Sequence, residues 1–146
     1  MVVSGRERAG ARRAALQALY QWQLAGHEPT DIVREFVAER ELVRVDRDYF
    51  RAITCGVPKR YVELRAQLAE VIDRDWGRLD PVESAVLLIA AWELAERPEV
   101  PWRVVVNEAV DVAKLFGAEE GHRFINASLD RLARRLRPHE TRPEAS

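Results

Sequence analysis

VVVNEAVDVAKLFGAEEGHRFINASLDRLARRLR, residues 104–137, reads as two helices joined by a tight acidic elbow. In the first helix Val105, Ala109, Val112 and Phe116 recur at helical spacing and form one apolar face, while Asn107, Asp111 and Lys114 fall opposite. Gly117 stands where a left-handed residue would stop that helix. Glu119 and Glu120 follow, where negative charge suits the positive end of a new helix dipole. In the second helix Ile125, Leu129, Leu132 and Leu136 make the buried stripe. Phe124 lies roughly 110° from the middle of that stripe, at 100° per residue, between Arg131 and Arg135. An aromatic ring among arginines and off the core stripe has two readings. It stacks on an unpaired base, or it packs against a neighbouring helix.

Outward from this stretch, the chain before it is helical as well. A helix is expected from about Glu7 to Ala25, ended by Gly26 and Pro29, with Ala15, Ala18, Leu19 and Trp22 inward and Arg13, Gln17 and Gln21 outward. Thr30 is the expected cap of a second helix reaching about Val43, with Phe36 inward. Asp46 is the expected cap of a long periodic segment through Phe50, Ile53, Val57, Tyr61, Leu64 and Leu68. Proline has no amide hydrogen and crowds the preceding turn, so a kink or break is expected at Gly56–Pro58. Asp80-Pro81-Val82-Glu83 has the form of a helix start: a capping acid, proline in the first turn, and a second acid at the third position. Ala85–Trp92 is apolar without a break, so it must be surrounded on all sides and is the expected central helix. No strand pattern or hairpin turn interrupts these segments. The expected fold is all-α, six to seven helices in two packed bundles, with subdomains at about 7–76 and 80–137 and a polar tail over 138–146.

Three blocks of these words, ARRAALQALYQWQL, VDRDYFRAITCGV and VNEAVDVAKLFGAE with HRFINASLDRL, resemble the bacterial NusB family of transcription antitermination factors, in the family's order and across nearly the whole chain. The resemblance implies an all-helical domain that binds boxA-type RNA of ribosomal RNA operon leaders. It also implies a small-subunit ribosomal protein, NusE, as partner, within the antitermination complex of RNA polymerase.

Charge fits an anionic partner met locally. The formal net charge is −1, yet Arg6, Arg8, Arg12 and Arg13 face only Glu7 near the start, and six arginines from Arg123 to Arg142 face Asp130 and Glu140. The same distribution also suits two solvated ends. A hydrophobic share of 47% with 32% charged residues excludes a disordered chain. Cys55 is the single cysteine, which excludes an intrachain disulfide and a thiolate metal cluster, and beside the proline kink it reads as a small buried group. No apolar run approaches the roughly 18 residues of a membrane span, and no signal-peptide core precedes the first helix, so a cytoplasmic protein away from membranes is expected.

Catalytic patterns are missing. His27, His122 and His139 are scattered, and there is no phosphate loop, nucleophile elbow or dinucleotide fingerprint, so neither an enzyme nor a cofactor or metal is expected. Single-stranded RNA is held by rings that stack on its bases and arginines that meet its phosphates. The candidates for that work are Arg6, Arg8, Arg12, Arg13 and Gln17 near the start, and His122, Arg123, Phe124, Asn126, Arg131 and Arg135 near the end. The family's partner surface, carried onto this sequence, points to Glu83, Arg103 and Glu108. Two other readings stay open. One is the NusB-like domain attached to ribosomal RNA methyltransferases, which needs a catalytic domain downstream where this sequence has a polar tail. The other is a helix-turn-helix DNA binder reading with Glu119–Leu136, which Glu119 and Glu120 disfavour by repelling phosphate.

Overall fold

The computed structural model describes residues 5–40, 42–116 and 121–143, all helix, turn or loop without a strand. Eight α-helices are seen among them: α1 (Gly5–Ala25), α2 (Pro29–Glu39), α3 (Arg47–Lys59), α4 (Tyr61–Ala69), α5 (Pro81–Glu96), α6 (Trp102–Leu115), α7 (His122–Leu136) and the single turn α8 (Pro138–Thr141). A 3-10 turn, Trp76–Arg78, precedes α5. The chain forms two compact units, Met1–Tyr61 and Val62–Ser146. The division falls ahead of the expected boundary at 76–80, so α4 belongs with the C-terminal helices. Gly117, Glu119 and Glu120, read above as helix stop and helix start, lie outside the described residues.

In the first unit α1, α2 and α3 all pack on one another. Leu16, Leu19, Ile32, Phe50 and Ile53 are fully enclosed, and the rings of Phe36 and Phe50 stack 5.6 Å apart. Trp22, expected in this core, is half-buried and meets Tyr61 edge-on at 5.4 Å. The helix starts follow capping chemistry, with one correction. Asp46 caps α3 by accepting the Tyr49 N–H at 3.0 Å. Thr30 does not cap α2; the helix begins at Pro29, whose fixed φ and missing N–H suit a first helical position. That helix also stops at Glu39, short of Val43, because the chain must turn back toward α1. Arg44 takes a left-handed φ of 60° in that turn, and the Asp46 N–H bonds the Glu7 carbonyl at 3.0 Å. Gly10 explains itself here: a Cβ on it would lie 2.9 Å from the Arg44 carbonyl oxygen and 3.2 Å from Val45. The break expected at Gly56–Pro58 is displaced. α3 runs through Pro58 to Lys59, and Arg60 ends it with its N–H on the Gly56 and Val57 carbonyls. Cys55 is half-buried with a free thiol rather than fully enclosed.

In the second unit α5 is enclosed continuously from Ser84 to Leu94, as an all-apolar helix requires. α6 and α7 both pack on it and on each other. Its start is the expected box: the Asp80 carboxylate accepts the Val82 N–H at 2.7 Å, and the Glu83 carboxylate accepts the Asp80 N–H at 3.3 Å. The buried stripe of α7 comprises Ile125, Ser128, Leu129, Leu132 and Ala133, with Leu136 half-buried.

Arg137, just past α7, holds the far end of this unit. Its side chain is 7% exposed. Nε donates to Leu94 O at 3.1 Å, and Nη2 donates to Glu93 O at 3.1 Å and Arg97 O at 2.8 Å. Nη1 donates to Val100 O and to the Glu140 carboxylate. These carbonyls lie at and just beyond the end of α5; those of Glu93 and Arg97 also accept the Arg97 and Val100 N–H groups at 2.9 and 3.0 Å, and a planar fork of donors suits the cluster. Glu140 in turn accepts the Trp102 N–H at 2.7 Å, which caps α6 from outside. One arginine–glutamate pair thus closes α5, opens α6 and pins α8.

Candidate nucleic-acid interface

The candidate residues divide between the two units. In the first, α1 carries five of them, and the structure treats them unequally. Arg6 is exposed and Arg13 half-buried. Arg8 lies 3.8 Å from the Asp46 carboxylate with its guanidinium 4.6 Å over the Tyr49 ring. Arg12 is only 4% exposed, its guanidinium 5.6 Å over the same ring. The expectation of Arg12 as a solvent-facing contact is therefore corrected: it belongs to the packing of α1 on α3. A cation over an aromatic face is stabilised by the ring quadrupole, and more so away from water. Gln17 accepts a hydrogen bond from Arg40, whose guanidinium stands 4.1 Å over Phe36.

In the second unit α7 carries the other six. His122 is half-buried at its first position, and Arg123 and Asn126 are exposed. Of the two readings of Phe124, the packed one describes the ring here: it is 8% exposed, and the guanidinium of Arg74 sits 3.7 Å from its ring centre. Arg131 and Arg135 lie on the same side of α7, two and three turns on. The Arg131 Nε donates to Val71 O at 2.7 Å, and Arg135 pairs with Glu70 at 2.6 Å. The segment from Glu70 to Arg74 therefore lies along this face of α7, touching Arg135, Arg131 and Phe124 in turn. Glu70 and Arg74 carry no local pattern that marks them; only the contact across the fold does.

The partner candidates are also unequal. Glu83 is committed to the cap of α5. Arg103 is exposed, its guanidinium 4.8 Å over Trp102, and Glu108 is half-buried. No group of three or more His, Cys, Asp or Glu that could hold a metal occurs among the described residues. No helix among them is long and apolar enough to cross a membrane.

Arginines, an amide and an aromatic ring on one helix are groups with which a protein holds nucleic acid. Residues 9–134 match the model of the NusB family, and the chain belongs to that family. It is 48% identical over 134 residues to the transcription antitermination protein NusB of Hahella chejuensis, covering 92% of this chain and 90% of the relative. Identity is again 48% over 138 residues with the NusB of Nitrosococcus oceani, covering 94% and 93%. Among solved structures, NusB crystallised with NusE and double-stranded RNA superposes with a TM-score of 0.77 at 26% identity, over 90% of this chain and 99% of that one. The solution structure of NusB from Aquifex aeolicus shares the fold, with a TM-score of 0.73 at 24% identity over 97% and 96%.

Proposed function

We propose that this protein is a non-enzymatic RNA-binding adaptor of transcription antitermination. In this reading it binds boxA-type RNA of ribosomal RNA operons together with NusE, as part of the RNA polymerase antitermination complex in the cytoplasm. α7 carries the reading: Arg123 and Asn126 are exposed near its start, and Phe124, Arg131 and Arg135 follow one another along a different side of the same helix. This set supplies a stacking ring, a hydrogen-bonding amide and cations for phosphate. Relatives named for antitermination, and a relative crystallised with NusE and RNA, support the same conclusion. Of the α1 candidates, the reading assigns phosphate to Arg6, which is exposed, and Arg13, which is half-buried, because Arg8 and Arg12 lie over the Tyr49 ring. For the partner, Arg103 and Glu108 are the sharper candidates, because reversing Glu83 also removes a helix cap.

A titration of three nucleic acids tests the reading: a single-stranded leader RNA carrying boxA, the same RNA as a duplex, and duplex DNA. The boxA strand is expected to bind at least tenfold tighter than duplex DNA, with a further gain when NusE is present. Equal affinity for duplex DNA, or no effect of NusE, overturns it.

A further inference from the structure

Phe124 presents a difficulty for any base that would stack on it, since the ring is 8% exposed and Arg74 occupies its face. The guanidinium carbon is 3.7 Å from the ring centre, within stacking distance, and a guanidinium is itself a surface on which bases stack. We propose that Arg74 is an RNA-binding residue, and that its guanidinium and the Phe124 ring are the two walls of a slot for one unpaired nucleobase. The inference rests on the RNA-binding reading above. In the free protein the slot is closed on itself; a base enters when Arg74 lifts by one base thickness, about 3.4 Å.

The surroundings suit such a movement. Arg74 is 45% exposed, and its ion pair is with the adjacent Asp73 at 3.5 Å, itself 73% exposed, a surface pairing that holds a side chain weakly. The root of the segment is tied more firmly, by Glu70 on Arg135 at 2.6 Å and by the Val71 carbonyl on Arg131 at 2.7 Å. Arg74 is thus the free end of an arm anchored at its base. Displacing it from the ring removes one cation–π interaction, and inserting a base restores stacking on both sides. The arm also brings a positive charge to the ring, which attracts the phosphates flanking a base and an acidic side chain alike. Selectivity for RNA must therefore come from stacking.

The test is a set of titrations of the full chain with single-stranded boxA leader RNA, in which each nucleotide in turn is made abasic. The wild type is expected to lose about tenfold in affinity at one position, the size of one lost stacked base. Arg74→Ala and Phe124→Leu should each weaken binding of intact RNA about as much, and should lose nothing more when that same nucleotide is abasic. Arg74→Lys keeps the charge without the plane, so it should match Arg74→Ala in affinity while retaining the wild-type salt dependence. Thermal unfolding of Arg74→Ala should match the wild type. If Arg74→Ala binds as tightly as the wild type or tighter, the arm is a bystander or a competitor and the slot is overturned. Full rescue by Arg74→Lys assigns Arg74 to phosphate and also overturns it. A wild type that does not bind the RNA at all overturns the RNA-binding reading itself, a result distinct from binding without the coupling.

Discussion

Arg137 and Arg6 stand at opposite ends of the chain, each in a run of arginines, and their fates differ completely. Arg137 is drawn into the second unit, where four backbone carbonyls and a carboxylate surround its fork. Arg6 stays in solvent at the first turn of α1. Between these extremes, Arg8 and Arg12 settle on the Tyr49 ring. Charge density along the sequence therefore does not measure how much charge is offered to a partner. What matters is whether clustered carbonyls or an aromatic face wait within reach of the folded backbone.

The sharpest way to break this contrast is to remove Arg137. Arg137→Met keeps the bulk and removes the side-chain donor from the carbonyls of Leu94 and Val100, while those of Glu93 and Arg97 keep only their backbone N–H partners. Leaving a buried acceptor without its donor commonly costs about 1–3 kcal/mol, and two lose theirs here. Denaturant unfolding should show a loss of that size, and Arg137→Lys should recover little, since one ammonium cannot reproduce the fork. A loss below about 1 kcal/mol would place Arg137 among the solvated arginines after all.

A smaller effect is expected where α1 meets the Arg44 turn. Alanine normally favours a helix over glycine by about 1 kcal/mol. At Gly10 the added Cβ would press on the Arg44 carbonyl at 2.9 Å, and overpacking of this kind costs about 1–3 kcal/mol. Gly10→Ala should therefore lower the melting temperature, whereas Gly5→Ala, with nothing within 4 Å of the new atom, should not. A rise in both would mean that the turn yields.

The smallest effect on stability, and the clearest on binding, is expected at the solvent end of the contrast. Replacing Arg6 and Arg13 together with glutamine should leave unfolding within about 0.5 kcal/mol of wild type. If they meet phosphate, the log–log dependence of RNA affinity on salt should flatten by about 0.7 for each phosphate of a single strand that is no longer neutralised. An unchanged slope would remove both from the interface.

Much of the fold is legible from local pattern. The unbroken apolar run Ala85–Trp92 becomes the enclosed α5, and Asp46 and Asp80 cap the helices that follow them, because capping is settled within three residues. The site is legible only in part. Arg123 and Asn126 lie open as helical phase suggests, but Phe124 does not, although it too stands off the apolar stripe of α7. Its cover comes from Arg74, in a segment that no periodicity links to α7.

The sequence by itself determined the capped starts after Asp46 and Asp80, the apolar run of α5 and which family's pattern the chain follows, since each depends on residues within a turn or two. Tertiary structure alone decided which arginines are inside. Arg137 finds its carbonyls 37 to 44 residues away, and Arg131 finds Val71 at a separation of 60. Burial of a charged side chain turns on the groups that meet it and satisfy its donors, and those groups come together only when distant helices pack.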